Sequence, residues 1–192
     1  MSIFDIFKIF IKKPVRVHKW KYEEPNLYDD LDLSVEEYAE KLKTYYDKHN
    51  YLGKAAEISD KAKDAKASGN YDEVWRSYID MKDLYLKHAS HNHFTAQQTL
   101  ALDATIDFQM ADVLRLEGKH NQALVHIIYW VATSKTPSKT QQQKLKAYFN
   151  RCKFKNITID DVYQFIDSLR PLPDFVKIRD TVKQWVVTEN AH

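Results

Sequence analysis

Gly69-Asn70-Tyr71-Asp72-Glu73-Val74 and Gly118-Lys119-His120-Asn121-Gln122-Ala123 are the two stretches that decide the fold. Each begins with one of the only 3 glycines in 192 residues. Each glycine follows a helical run, and five residues on an apolar residue, Val74 or Ala123, opens the next. Glycine takes a positive φ without a Cβ clash, so it ends one helix and turns the chain back at low cost. A helical hairpin used twice in this way predicts stacked antiparallel hairpins, a short α-solenoid, rather than a fold built around an enzyme pocket.

Outward from these turns the helices are well punctuated. Ser34-Val35-Glu36-Glu37, Thr95-Ala96-Gln97-Gln98, Ser138-Lys139-Thr140-Gln141 and Thr158-Ile159-Asp160-Asp161 place a hydroxyl three residues before an acceptor side chain, the pattern that satisfies free backbone N–H groups at a helix start. Ser34 opens a helix through about His49, with Gly53 expected to break it. The first hairpin runs from about Lys54 to Gly69 and from Asp72 to about His88, and its second helix buries Val74, Tyr78, Met81 and Tyr85. A long helix to Glu117 and a return helix to about Thr136 form the second hairpin. Helices bearing Leu145, Tyr148, Phe149 and Cys152, then Val162, Phe165, Ile166 and Leu169, follow. Pro171 and Pro173 end the latter, and Asp174 caps a last helix. Seven core helices are expected, with an eighth at the N-terminus. No segment sustains a period of two, so the fold is expected to be all-α, with residues 1–33 as an N-terminal apolar and basic segment with an irregular linker and 34–192 as one helical-repeat domain.

Bulk composition narrows the class. Hydrophobic residues make up 44% and charged residues 29%, which suits a packed globular domain and excludes wholesale disorder. The single cysteine, Cys152, leaves no partner for an intrachain disulfide and fits a reducing, cytoplasmic compartment. No run approaches the roughly 20 apolar residues of a membrane span. The formal net charge of +2 gives no global attraction to nucleic acid. Residues 3–13 are dense in Ile and Phe and stop at Lys12-Lys13-Pro14, with positive charge following the apolar core, the wrong order for a secretory signal. Such a segment can touch an anionic membrane surface or cap the open end of a solenoid; capping or partner docking is the reading taken here.

The two hairpins resemble tetratricopeptide-type repeats. Ala62, Gly69, Tyr71, Val74, Tyr78 and Met81 follow that family's order of small residue, turn glycine, aromatic and apolar positions, as do Ala111, Gly118, His120, Ala123, Ile127 and Trp130. The resemblance covers residues 54–136. The chain departs from the pattern in that Gly118 follows Gly69 by 49 residues where the family period is about 34. It also lacks the usual first-helix tryptophan and the usual following proline. What the resemblance implies is a concave helical surface that binds another protein or peptide.

His88-Ala89-Ser90-His91-Asn92-His93 could share a metal ion, but its spacing matches no ligand set and the segment reads as a connecting loop facing water. Asp103 and Asp107 lie four apart on one helix face and could hold Mg²⁺ or divide acid and base roles. With no second carboxylate pair or His-Asp dipeptide beside them, they read as a solvated stripe, because acids are rarely buried without a partner. Cys152, on an apolar face, reads as a small buried hydrophobe. The cations Lys144, Lys146, Arg151, Lys153 and Lys155, interleaved with Tyr148, Phe149 and Phe154, offer phosphate neutralisation with base stacking, the alternative of a nucleic-acid surface. Gly-rich phosphate loops, nucleophile elbows and His-Glu-x-x-His motifs are not present in the sequence.

The expectation is therefore a non-enzymatic protein-interaction module with no cofactor or metal, of a size that suits a bacterial adaptor or an inhibitor of the immunity-protein type. Helix 72–88 carries more aromatics and long cations than one face can bury. Trp75, Arg76 and Lys82, off its core stripe, are the expected partner contacts. A metal-dependent enzyme using the His88–His93 segment is the remaining alternative.

Overall fold

The structure, a computed structural model, describes residues 34–190. The readings of residues 1–33, including the Ile/Phe segment 3–13, lie outside them. Among the described residues there are eight helices and no strand: α1 Val35–His49, α2 Tyr51–Ala67, α3 Tyr71–His91, α4 Ala96–Leu116, α5 His120–Ala132, α6 Lys139–Cys152, α7 Ile159–Ser168 and α8 Phe175–Asn190. All eight therefore fall within the expected helical domain, one more than the seven expected there. The described residues divide into two units, with the boundary between Lys41 and Leu42.

In the first unit the described residues begin α1. The Ser34 N–H donates to Glu37 Oε2 at 2.9 Å and the Glu37 N–H donates to Ser34 Oγ at 3.2 Å, closing the expected reciprocal cap.

The second unit is built from hairpins whose turns repeat in detail. Gly69 and Gly118 both have φ +74°. Gly69 N–H donates to the Lys66 carbonyl at 3.1 Å and Asn70 N–H to the Ala65 carbonyl at 2.8 Å. Gly118 and Lys119 make the equivalent bonds to Arg115 and Leu114 at 3.1 and 2.8 Å. This pair of bonds satisfies the last carbonyls of α2 and α4, and the left-handed glycine is what allows it. The third glycine does something else. The break between α1 and α2 falls at Asn50, not at Gly53: Gly53 lies in the first turn of α2 and donates its N–H to Asn50 Oδ1 at 3.0 Å. The capping boxes at Thr95, Ser138 and Thr158 are all closed as expected. Asp174 Oδ1 accepts from the Val176 and Lys177 N–H groups and starts α8.

The core has two parts. Ala55, Ala62 and Ala65 of α2 pack with Val74, Tyr78 and Met81 of α3 and with Ile106, Met110 and Val113 of α4. The other side of α4, through Ala104, Ala111 and Leu114, packs on α5 in a larger cluster that takes in α6, α7 and α8. Helix α5 packs against α4, α6, α7 and α8, and its residues Ala123–Tyr129 are all buried. A helix apolar on all sides belongs at the centre of a bundle. Trp75 packs against both clusters, so it sits where the two meet.

Candidate functional site

At that meeting point the interior is ionic. Lys82 Nζ of α3 lies 2.8 Å from Asp103 Oδ2 and 2.6 Å from Asp107 Oδ2 of α4. Asp107 Oδ1 in turn faces His126 Nδ1 of α5 at 2.6 Å. The Asp107 side chain is 1% exposed and that of His126 6%. Rings close the group in: His126 lies 6.0 Å from Trp75 and 5.0 Å from Phe175, Phe175 lies 5.4 Å from Tyr129, and Lys82 Nζ stands 5.9 Å from the Tyr129 ring centre.

Helical spacing explains the convergence. Trp75 and Lys82 are seven apart on α3, so they share a stripe adjacent to the Val74–Tyr78–Met81 stripe, and this second stripe turns onto α4 and α5. Asp103 and Asp107, four apart, share one face of α4. The expected solvated stripe is thus an interior one, because Lys82 and His126 supply the partners that a buried carboxylate needs.

The electrostatics follow from this geometry. Burial works against the Lys82 charge, yet Asp107 and Asp103 outweigh it and hold the ammonium above its ordinary range. Asp107 is likewise penalised by burial, but the His126 bond and the Lys82 charge keep it below the usual carboxylate range. For Asp103 burial prevails over Lys82, the Asp107 charge adds to it, and its carboxyl is pushed up. Burial, followed by the charges of Asp103, Asp107 and Asp174, pushes the Tyr129 hydroxyl up. A lysine held protonated is not a nucleophile. Its ammonium also takes the place between the two carboxylates that a bound cation would need. The group is built to hold charge, and it ties the first hairpin (Lys82) to the second (Asp103, Asp107, His126).

The other residues singled out from the sequence fall as follows. Of the expected contacts, Trp75 is half-buried at the junction, Lys82 is in the ion network, and Arg76 is exposed with an ion pair to Glu73 at 3.1 Å. The histidine run is not all loop: His88 and His91 belong to the end of α3, and His93, with φ +54°, occupies the left-handed position that glycine fills in the other two turns. The His91 ring stacks on His49 at 4.5 Å, and burial followed by the neighbouring imidazoles pushes the His91 pKa down. Among the described residues no group of three His, Cys, Asp or Glu side chains is arranged to hold a metal ion. None of the described helices is long and apolar enough to cross a membrane.

The basic stretch does not form one track. Lys144, Lys146, Arg151, Lys153 and Lys155 are all exposed, but Lys146 leaves α6 on a different side from Lys144 and Arg151, and Lys153 and Lys155 lie beyond the helix end. Lys144 Nζ stands over the Phe108 ring at 5.4 Å and Arg151 over Tyr148 at 5.5 Å. Lys153 is the left-handed C-cap of α6, and the Lys155 N–H donates to Glu189 Oε2 at 2.9 Å. Tyr148 and Phe149 are core, as their alignment with Leu145 predicts. Cys152 is half-buried, and burial pushes its thiol up to about 12.

Sequence reasoning missed His126. The signal was there: it is the one histidine, with no Asp, Glu, Lys or Arg beside it, inside Ala123-Leu124-Val125-His126-Ile127-Ile128-Tyr129-Trp130-Val131, and a polar group in so apolar a run requires a buried partner. Comparison of the chain with known proteins gives no matching family and no significant match among curated proteins or solved structures.

Proposed function

We propose that this chain is a non-enzymatic helical-repeat module of tetratricopeptide-like type that binds another protein or peptide, acting as an adaptor or as an inhibitor of the immunity-protein type. The observation that carries the reading is the repeated turn: Gly69 and Gly118 share their φ and both of their carbonyl-capping bonds. Repetition of one helix–turn–helix unit is what generates an extended helical surface, and such surfaces are used for binding. The ion network supports the same reading, since Lys82 staples consecutive hairpins and gives the surface a fixed shape. Pre-organisation lowers the entropy cost of association.

Chemical cross-linking of the native protein in extracts of its source cell, read by mass spectrometry, tests the proposal. The expected result is one protein partner recovered in stoichiometric amount, with cross-links on the helical surface. A chain recovered without a protein partner, and turning over a substrate in an activity screen, would refute it.

A further inference from the structure

The side of the second unit formed by α2, α4 and α6 carries an excess of positive charge that the sequence alone does not line up. Asp112 of α4 is ion-paired with Lys66 of α2 and, at 2.6 Å, with Arg115 of its own helix. Arg115 also lies against the Tyr148 hydroxyl of α6, and Arg151 covers the Tyr148 ring. Lys144 covers Phe108, which stacks on Trp130 at 4.7 Å. Of these four cations from three helices, Lys66 and Arg115 share the one carboxylate of Asp112, and Lys144 and Arg151 lie on rings. The imbalance is not made up nearby. Helix α6 contains no acid, and the remaining acids of α4, Asp103 and Asp107, are turned into the Lys82 network. The acids of α2, Glu57, Asp60 and Asp64, project from the far side of that helix from Lys66.

Helical geometry separates these cations from the rest of the basic stretch. At about 100° per residue, Lys144 and Arg151 project from one flank of α6, whereas Lys139 and Lys146 project from the other. The buried Leu145, Tyr148 and Phe149 lie between the two flanks. Only the first flank faces α4.

We infer that the α2–α4–α6 side is the partner-contact surface and that its ligand is an acidic protein segment, rich in Asp and Glu. The inference rests on the protein-binding function proposed above and supplies its chemistry. Carboxylates suit this surface because guanidinium groups bind them in a planar, two-point geometry, and Arg151 is held over the Tyr148 ring, whereas Arg115 already gives its Nε and Nη2 to Asp112. Nucleic acid suits it less well. Phe108 is covered by Lys144 and Trp130, and Tyr148 is buried, so neither ring presents a free face on which a base could stack.

The test is fluorescence anisotropy at low salt with a labelled peptide rich in Asp and Glu, its Asn/Gln counterpart and a single-stranded oligothymidylate of equal charge. Two double variants are compared, Lys144→Glu/Arg151→Glu and Lys139→Glu/Lys146→Glu. They make the same change in net charge on opposite flanks of one helix, and all four side chains are exposed, so both fold. The expected result is binding of the acidic peptide only, weakened about tenfold or more by the first variant and less than about twofold by the second. Equal weakening by both variants, or tighter binding of the oligonucleotide, overturns the inference. If the partner cross-linked in cell extracts is retained fully by Lys144→Glu/Arg151→Glu, this surface is refuted while the protein-binding function stands.

Discussion

Replacing Lys82 with Met removes the ammonium and keeps most of the side-chain volume, so it tests the ion network without opening a cavity. Two carboxylates are then left without their shared cation, Asp107 at 1% side-chain exposure and Asp103 at 14%. Breaking a buried ion pair on one side costs roughly 3–5 kcal/mol. Two features reduce that figure. His126 still bonds Asp107, and Asp103, whose carboxyl is already pushed up, can take a proton. The expected loss is about 3 kcal/mol, which at a urea m-value of about 2 kcal/mol per M lowers the unfolding midpoint by about 1.5 M. Asp107→Asn should cost about 2 kcal/mol, and Asp103→Asn clearly less, because the Asp103 charge is the one the interior tolerates least. The double variant Lys82→Met/Asp107→Asn should lose less than the sum of its parts by about 1 kcal/mol or more, since it leaves one stranded charge fewer. Equilibrium urea denaturation followed by tryptophan fluorescence measures all four. A Lys82→Met protein within about 0.5 kcal/mol of wild type, or strictly additive single losses, would show that the network does not hold the hairpins together.

The same lysine sets a pH dependence. Its folded pKa lies above the ordinary 10.5, so its contribution is complete below that value and is lost as pH rises through the folded value. Wild type should therefore lose stability above pH 10.5 more steeply than Lys82→Met, and parallel curves in alkaline urea titrations would contradict the assignment. Cys152, its thiol pushed from an ordinary 9.0 up to about 12, holds about a thousandfold less thiolate at pH 8 than an exposed cysteine. Labelling by a disulfide reagent should be correspondingly slow in the folded protein and rapid in urea, and fast labelling without urea would refute the burial. Gly69→Ala and Gly118→Ala should each cost about 1 kcal/mol, because a Cβ at either position has nothing within 4 Å and only the positive φ resists it. Gly53→Ala should be close to neutral, as a Cβ there meets the flexible Asn50 side chain and loses the cap while gaining helix propensity. Unequal losses at the two turn glycines, measured by thermal unfolding, would argue against a repeated turn.

Helix identity was legible in the sequence because it is set locally. Ser138 with Gln141, and Thr158 with Asp161, satisfy their own backbone N–H groups whatever surrounds them, and Gly69 and Gly118 relieve a steric conflict within one residue. The stripe Val74–Tyr78–Met81 follows from the same short-range periodicity, and it is buried. What the sequence could not settle is how residues far apart neutralise one another. Lys82, Asp107 and His126 lie on three helices, and each by itself is a polar residue whose ordinary place is the surface. Only when α3, α4 and α5 pack do Lys82 and His126 each come within 2.6 Å of Asp107, and only then does the buried carboxylate have the partners that offset its desolvation. The cations show the converse: Lys144 and Lys146 are near neighbours in the chain, yet it is the packing of both α4 and α6 on α5 that brings Lys144 onto Phe108 and leaves Lys146 on the opposite flank. Local sterics and hydrogen bonding determine the helices, whereas pairing of charges depends on distances that tertiary packing alone creates.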